Sequence, residues 1–291
     1  MRLAILANLT HTAILEIVPV WLEWLCRRAD VVVADDLARL VQSANTRFET
    51  APRRSVHQNC DMLISLGGDG TILSTAHTVG RAGVPILGVK FGGLGFLTEV
   101  GPEEFYTALE AILAGHYEVQ KRIVLEARVL NSPDATPLHA MNDFVVDKGG
   151  QTRLVRLKVM IANEYLNTYI SDGLIVATPT GSTAYSLAAG GPIMPPEMKA
   201  MVITPICPHS LNARPVVIPD EKIVTIEIAT EETQVNLSVD GQVTRKISSG
   251  MAVEIRKADY FINLVRKTIP TSNTFYDTLR IKFRWGEDIR K

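Results

Sequence analysis

One carboxylate stands among three glycines in the first hundred residues. Residues 67–71 read Gly-Gly-Asp-Gly-Thr and follow an apolar run at 62–66 that predicts a buried strand. Glycines have no Cβ atom, so their backbone N–H groups can approach an anion closely, and open α/β sheets bind ligands where strands end. An ordinary strand-to-helix turn with an exposed Asp69 is the alternative. Because a carboxylate repels phosphate, the pattern favours a chemical role for Asp69 beside a bound anion.

A second glycine-rich segment spans residues 172–192. Within it, residues 183–189 predict two helical turns with Ser182 or Thr183 as the N-cap, a helix start that can accept phosphate. A capped helix in a loop is the alternative. Two such turns, one in each predicted domain, indicate a ligand with several phosphates. Neither matches GxxxxGK[ST] or GxGxxG, which argues against a P-loop and against the common dinucleotide fingerprint.

Composition limits the class of protein. The chain has 291 residues, 46% of them hydrophobic, and a formal net charge of −1, which indicates about two domains and neither a nucleic-acid nor a membrane-surface partner. Its three cysteines share no metal-like spacing, and no apolar run is long enough for a spanning helix. The N-terminus begins as a strand, without a leader pattern. We therefore expect a soluble, cytoplasmic protein.

The order of predicted elements indicates two domains. Residues 1–100 alternate strands with helices and predict a Rossmann-like α/β domain. Within it, residues 13–28 predict a helix that Pro19 should kink or end early, and residues 44–59 predict a loop. Residues 101–268 predict an all-β domain of packed sheets, with a hairpin turn at Asp240-Gly241. Residues 269–291 predict a tail that packs back on the first domain.

These motifs together resemble the NAD kinase family. The resemblance lies in residues 67–71, Asn142-Asp143, residues 172–192, 204–211 and 214–219, which occur in the family's order across most of the chain. The first motif alone is shared with diacylglycerol and sphingosine kinases and, in looser form, with phosphofructokinases. Residues 183–186 with their flanks are far more specific to NAD kinases.

The resemblance implies that a phosphoryl group is transferred from ATP, or from polyphosphate, to the 2′-hydroxyl of the adenosine ribose of NAD. Asp69 would be the general base, and a divalent ion such as Mg²⁺, with ligands unknown, would assist. The donor phosphates would be held by Gly67, Gly68, Gly70, Thr71 and Lys90. The implied NAD contacts are Gly70, Asn142, Asp143, Arg153, Asp172, Thr183, Ala184, Tyr185, Ser186 and Gln242. The resemblance also implies a homodimer or homotetramer.

Several positions depart from the family pattern. Asp143 stands where most members have Glu, Ile170 where a basic residue is common, and His77 where Arg is common. Lys90 stands where Asn is common, and it either restores the charge missing at Ile170 or is simply solvated. Two other functions remain open: a lipid or sugar kinase that shares the glycine turn, and a catalytically idle NAD-binding regulator. The chain has no basic amphipathic stretch for reaching a lipid surface.

Overall fold

The computed structural model describes residues 1–41, 47–134, 136–230, 234–268 and 274–286. The chain divides into two compact units. The first unit contains Met1–Lys121 and Ile262–Lys291, and the second contains Arg122–Phe261. The domain boundaries expected from the sequence remain predictions, and so does the placement of residues 269–273 and 287–291, which lie outside the described residues.

The first part of the chain alternates strands and helices, as the sequence predicts. In chain order the elements are β1 (Arg2–Ala7), α1 (Thr12–Leu25), β2 (Asp30–Ala34), α2 (Asp35–Ala38), β3 (Glu49–Ala51), β4 (Met62–Gly67), α3 (Asp69–Val79), β5 (Ile86–Lys90) and α4 (Phe105–Leu113).

The second part is dominated by strands. Its elements are β6 (Tyr117–Leu130), β7 (Leu138–Ala140), β8 (Asp143–Asp147), β9 (Val155–Ile161), β10 (Glu164–Ser171), β11 (Gly173–Ala177), α5 (Tyr185–Ala188), β12 (Ala200–Ile206), β13 (Val216–Pro219), β14 (Val224–Ile228), β15 (Gln234–Val239), β16 (Val243–Ser248), β17 (Ala252–Lys267) and α6 (Phe275–Phe283). The last residues of β17 and all of α6 belong to the first unit.

The sheet of the first unit is parallel. Its strands lie in the order β17-β5-β4-β1-β2-β3, and β17 joins through Leu264 opposite Ile86. Parallel sheets are covered on both faces, which explains why every residue of β4 is buried. The carboxyl ends of β1, β4 and β5 lie at one edge of this sheet. Ligands of open α/β sheets bind at that edge.

An aromatic cluster anchors α1 and α4 in the core of the first unit. Trp21 of α1 stacks on Phe105 of α4, with ring centroids 3.7 Å apart and planes 3° from parallel. Both side chains are buried in the same cluster as Leu3 and Ile64 of the sheet. These contacts fix the helices on the strands that carry the glycine turn.

The second unit consists of two packed sheets. One contains β10-β9-β14-β17 with β6 and β7, and the other has the order β13-β12-β11-β8-β15-β16. Leu157 and Ile226 of the first sheet share one buried cluster with Phe144 and Leu237 of the second. Alternating burial along β14 is typical of a strand with one face in such a core. The predicted α/β unit followed by packed β-sheets is confirmed.

Several local predictions are corrected. The helix predicted at 13–28 does not end at Pro19 but continues to Leu25. Within the predicted loop at 44–59, Glu49–Ala51 pairs with β2 as a short strand, while residues 44–46 lie outside the described residues. The two apolar runs at 251–255 and 261–265 belong to one long strand, Ala252–Lys267. No helix in the described ranges combines the length and apolar character needed to cross a membrane.

Replacing Phe105 with alanine should lower the free energy of unfolding by about 3–5 kcal/mol, because it removes a buried ring and leaves a cavity under Trp21. Chemical denaturation followed by Trp fluorescence measures this loss. Val20→Ala on the exposed face of α1 is the control and should change stability by less than about 0.5 kcal/mol. A loss below about 1 kcal/mol in Phe105→Ala would show that the ring is not a core anchor.

Candidate active site

The glycine turn connects β4 directly to α3. Gly67 has a φ of +153°, and a Cβ atom there would lie 2.2 Å from Thr71 Oγ1, so a side chain has no room. At Gly68 and Gly70, by contrast, an added Cβ would meet no atom within 4 Å. The first turn of a helix leaves N–H groups without intrahelical partners. This turn therefore offers open space at the edge of the sheet where ligands bind.

Asp69 is the first residue of α3, and its carboxylate is held by a neighbouring loop. Oδ2 accepts a hydrogen bond from the Phe96 amide at 2.8 Å, and Oδ1 accepts one from the Leu97 amide at 3.0 Å. A Cβ atom at Gly95 would lie only 2.0 Å from Asp69 Oδ1. Two backbone donors and a required glycine thus fix the orientation of this carboxylate.

A cavity of about 500 Å³ adjoins the turn within the first unit. Besides Gly68, Gly70 and Thr71, it is lined by Asn8, Thr10 and His11, which follow β1, and by Arg53. The Arg53 guanidinium donates to Asp36 Oδ2 at 2.6 Å and to the Ala7 carbonyl. Sequence reasoning missed these four residues. Asn8, Thr10 and His11 could have been found from their position after a strand that ends at the same edge as β4.

Lys90 ends β5 and lies opposite Gly67 in the parallel ladder. It lines a second cavity in the first unit, of about 180 Å³, together with Glu99, Glu104, Arg266 and Lys267. The hydrogen bond from Lys267 lowers the pKa of Glu104, and the charge of Lys90 contributes to that shift. Lys90 therefore lies beside acidic groups as well as beside the strand that carries the glycine turn.

In the second unit, Asp240 binds the backbone around Asn142. Its Oδ1 accepts from the amides of Asn142 at 2.7 Å and Asp143 at 3.0 Å, and its Oδ2 accepts from the Met141 amide at 2.9 Å. Asp240 has a φ of +49° in the turn between β15 and β16, and Val239 lies opposite Val243 as predicted for a hairpin. The sequence suggested only a turn residue here. The structure shows that Asp240 orients two predicted NAD contacts.

The other side of Asn142 is fixed by residues of the second glycine-rich segment. Thr178 donates from its hydroxyl to the Met141 carbonyl at 2.7 Å and from its amide to the Asn142 carbonyl at 2.9 Å. A Cβ atom at Gly181 would lie 2.1 Å from the Asn142 oxygen. The structure thus brings Asn142, Asp143 and the start of residues 178–186 together within one unit.

Asp143 is an almost fully buried carboxyl group. Burial raises the pKa of Asp143 to about 7, and the nearby Asp240 carboxylate adds to this effect because like charges repel. The raised pKa favours the protonated carboxyl group, which can donate as well as accept a hydrogen bond.

The predicted helix start in the second glycine-rich segment is wrong. A short 3₁₀ turn, Gly181–Thr183, is broken from the four-residue helix Tyr185–Ala188 at Ala184, whose φ and ψ are −100° and −128°. The hydroxyls of Ser182 and Thr183 donate to the carbonyls of Pro179 and Thr180 and cap no helix. Such a brief helix provides no anion site by its own N-terminus.

The remaining predicted contacts lie in varied environments. Tyr185 is exposed, whereas the Ser186 hydroxyl is fully buried 2.8 Å from the Thr204 hydroxyl. Asp172 forms an ion pair with Lys148 Nζ at 2.6 Å. Arg153 is exposed shortly before β9, and Gln242 is exposed in the hairpin turn. Lys148 was missed because nothing in its sequence surroundings indicates a site.

The described residues hold no group of three or more His, Cys, Asp or Glu side chains that could bind a metal ion. A cage built by the protein alone is therefore absent from the part of the chain that the structure describes. Mg²⁺ seldom uses such a cage, since it commonly keeps several waters and binds one or two carboxylates together with substrate phosphates.

An α/β unit with an open glycine turn and a fixed carboxylate shares this chain with a unit of packed β-sheets. A carboxylate beside a place for bound phosphate is suited to phosphoryl transfer. Comparison with known families identifies the class of protein. Residues 3–117 match the ATP-NAD kinase N-terminal domain, and residues 141–267 match the ATP-NAD kinase C-terminal domain. The chain belongs to the NAD kinase family.

Relatives and solved structures agree with this assignment. The chain is 39% identical to an NAD kinase of Solibacter usitatus over 97% of both chains, and 40% identical to one of Syntrophotalea carbinolica over 98% and 99%. It is similar to yeast NADH kinase complexed with NADH, with a TM-score of 0.88, 28% identity and coverage of 100% and 90%. It shares the fold of an Archaeoglobus fulgidus NAD kinase in complex with ATP, with a TM-score of 0.74, 23% identity and coverage of 98% of both chains.

The raised pKa of Asp143 predicts a pH-dependent stability. A carboxyl group whose folded pKa lies above its unfolded value stabilises the fold fully below the unfolded pKa, and this contribution is lost as pH rises through about 7. Asp143→Asn should therefore gain stability relative to the parent protein between about pH 5 and pH 8, on the order of 1–3 kcal/mol.

Denaturant unfolding at a series of pH values measures this effect. The matched control is Asp147→Asn at the other end of β8, where the carboxylate is half-buried and accepts from the Gly149 amide. Parallel stability curves for Asp143→Asn and the parent protein would contradict the raised pKa.

Proposed function

We propose that this chain transfers the terminal phosphoryl group of ATP, or of polyphosphate, to the 2′-hydroxyl of the adenosine ribose of NAD, which gives NADP. The observation that carries the proposal is the Asp69 carboxylate, fixed by two amides beside an open glycine turn in a chain of the NAD kinase family. The resemblance also implies a homodimer or homotetramer, and the sequence predicts a cytoplasmic location; we include both in the proposal.

Asp69 is proposed as the general base. The 2′-oxygen of the ribose attacks the terminal phosphorus, its proton passes to a carboxylate oxygen of Asp69, and ADP leaves with the electrons of the broken P–O bond. Each oxygen of Asp69 accepts one amide hydrogen bond, and a carboxylate oxygen can accept another. The carboxylate can thus be held by the loop and still take a proton from a substrate within about 3 Å.

The donor is proposed to lie along the glycine turn. The open faces of Gly68 and Gly70 let N–H groups approach phosphate oxygens, and Thr71 lines the same cavity of about 500 Å³. Arg53 adds a positive charge to that cavity. Gly67 keeps the turn tight, and Lys90 at the end of the next strand is proposed to neutralise phosphate charge. A Mg²⁺ ion bound to the donor phosphates would neutralise charge on the transferred group.

Most of the proposed NAD contacts belong to the second unit. Asp240 and Thr178 hold the backbone of Asn142 and Asp143 in place, and the side chains of Asn142 and Asp143 are proposed to hydrogen-bond ribose or adenine. The other proposed contacts are Gly70, Arg153, Asp172, Thr183, Ala184, Tyr185, Ser186 and Gln242. Ser186 would act through the backbone, because its hydroxyl is fully buried against the Thr204 hydroxyl.

One assay tests the reaction class. The protein is mixed with ATP and Mg²⁺ and offered NAD, NADH, diacylglycerol or fructose 6-phosphate, and a parallel series replaces ATP with polyphosphate. We expect a 2′-phosphorylated dinucleotide with NAD, detected by an NADP-specific dehydrogenase. Phosphorylation of diacylglycerol or fructose 6-phosphate instead, or NAD binding without turnover, would refute the proposal.

Asp69→Asn should lower kcat by about 10²- to 10⁴-fold and leave KM for NAD nearly unchanged, because the variant lacks a proton acceptor needed only in the transition state. Steady-state kinetics and equilibrium NAD binding measure the two effects. Asp61→Asn, at the opposite end of β4, is the matched control and should keep normal turnover. Near-normal kcat in Asp69→Asn would eliminate Asp69 as the base.

Lys90→Ala separates the two interpretations of Lys90. If the ammonium group contacts substrate phosphate, KM for NAD or for ATP should rise by about tenfold, because one charge-assisted hydrogen bond is lost. Lys222→Ala, an exposed lysine of the second unit, is the control. Unchanged KM for both NAD and ATP would mean that Lys90 interacts only with the acidic groups of its own cavity and contacts no substrate.

A further inference from the structure

Residues 95–99, here called the clamp segment, connect Asp69 to the end of β17. The amides of Phe96 and Leu97 bind the Asp69 carboxylate, as described above. At the other end of the segment, Glu99 Oε2 lies 2.9 Å from Arg266 Nε, and Glu99 Oε1 accepts from the Lys267 amide at 3.3 Å. All of these residues belong to the first unit.

The clamp segment is also fixed to β5. The amides of Glu99 and Val100 donate to the Gly88 carbonyl at 2.9 and 3.2 Å, and the Lys90 amide donates to the Val100 carbonyl at 2.8 Å. A Cβ atom at Gly88 would lie 3.0 Å from Thr98 Cα, so the backbones are in close contact. The backbone thus fixes where the segment ends, and the side chain of Glu99 fixes how it approaches β17.

Burial of Glu99 is not explained by stability. Its side chain is only 8% exposed, and a buried ion pair seldom stabilises a fold more than apolar residues of similar volume would. Such a pair fixes the orientation of the carboxylate, since both of its oxygens must meet donors at fixed places. The contacts of Glu99 with Arg266 and with the Lys267 amide thus anchor the segment whose Phe96 and Leu97 amides bind Asp69.

We propose that Glu99, through its ion pair with Arg266, is a positioning residue that orients the Asp69 carboxylate for catalysis. The proposal rests on the proposed function, in which Asp69 is the general base. Glu99 touches no reacting atom. It acts through the amides of Phe96 and Leu97, which reach Asp69 only while Glu99 is ionised and paired.

The charges around Glu99 make this role pH-dependent. Arg266 and Lys267 of β17 and Lys90 of β5 are positive, whereas Glu103 and Glu104, which precede α4, are negative. Burial raises the pKa of Glu99 to about 7 despite the opposing effect of Arg266. Below that pH the protonated carboxyl group no longer pairs with Arg266 as an ion, and turnover should fall.

As pH falls, kcat should then decrease while the contribution of Glu99 to folding stability increases. Because the folded pKa of Glu99 is raised, its contribution to stability is fully present below the unfolded pKa and lost as pH rises through about 7. Acidification from about pH 8 to pH 6 therefore favours folding at this group while it lowers kcat. If Glu99 only stabilised the fold, kcat and folding stability would change in the same direction with pH.

The central variant is Glu99→Gln, which keeps the size and removes the charge. We expect kcat at about pH 8 to fall by about 10- to 100-fold, with KM for NAD within about twofold, since misplacing a catalytic group by about 1 Å has effects of this size. The part of the acid limb near pH 7 that Asp143→Asn does not remove should also disappear. Glu103→Gln, the exposed acid beside the same cavity, is the matched control and should keep normal turnover and the acid limb.

Two further measurements keep the test decisive if Glu99→Gln folds poorly. Arg266→Lys keeps the charge but loses the planar guanidinium, and it should give a smaller fall in kcat in the same direction. Amide hydrogen exchange should show faster exchange at Phe96 and Leu97 in either variant, with Ile64 in β4 unchanged. Normal kcat together with normal protection of these two amides would overturn the proposal.

Failure of this proposal can be told apart from failure of the proposed function. Normal turnover in Asp69→Asn would remove the general base and this proposal with it. Loss of turnover in Asp69→Asn, together with a parent-like kcat and acid limb in Glu99→Gln, would overturn only the role of Glu99. In the double variant, Glu99→Gln should not lower the residual turnover further, and an additive loss would contradict action through Asp69.

Discussion

The arrangement depends on one kind of interaction, a carboxylate held by backbone amides. At the glycine turn, Asp69 accepts from Phe96 and Leu97, which belong to a loop 27 and 28 residues further along the chain. In the second unit, Asp240 accepts from three successive amides, those of Met141, Asn142 and Asp143. Charge-assisted bonds of this kind are short and directional, and they fix loops that have no regular ladder of their own.

The carboxylates of Asp69 and Asp240 both accept hydrogen bonds from backbone amides, but their roles are opposite. At the glycine turn, the carboxylate is the reactive group in our account, and the loop amides fix its direction. In the second unit, the carboxylate of Asp240 is the support, and two of the three residues whose amides it binds, Asn142 and Asp143, are proposed substrate contacts. Preorganisation of this type matters because a catalytic group gains most when it needs no reorientation during the reaction.

Sequence reasoning reached the fold class and the glycine turn because both depend on local pattern. Alternating apolar runs identified the Rossmann-like unit, and Asp69 was evident from its glycine neighbours. Sequence reasoning could not identify the roles of Arg53, Asp240 and Glu99, because their partners lie 17 to 168 residues away in the chain. It also misjudged Ser182 and Thr183, because their hydroxyls bond to nearby carbonyls and the backbone breaks at Ala184. Propensity describes a residue's neighbours in sequence, whereas these roles arise from tertiary contacts.

The most direct test of the account is a structure of the protein with NAD and a non-hydrolysable ATP analogue. The account predicts that an Asp69 carboxylate oxygen lies about 3 Å from the ribose 2′-oxygen while the Phe96 and Leu97 amides still bind the same carboxylate. A 2′-oxygen bound far from Asp69, or an Asp69 side chain turned away from the ligand, would contradict it.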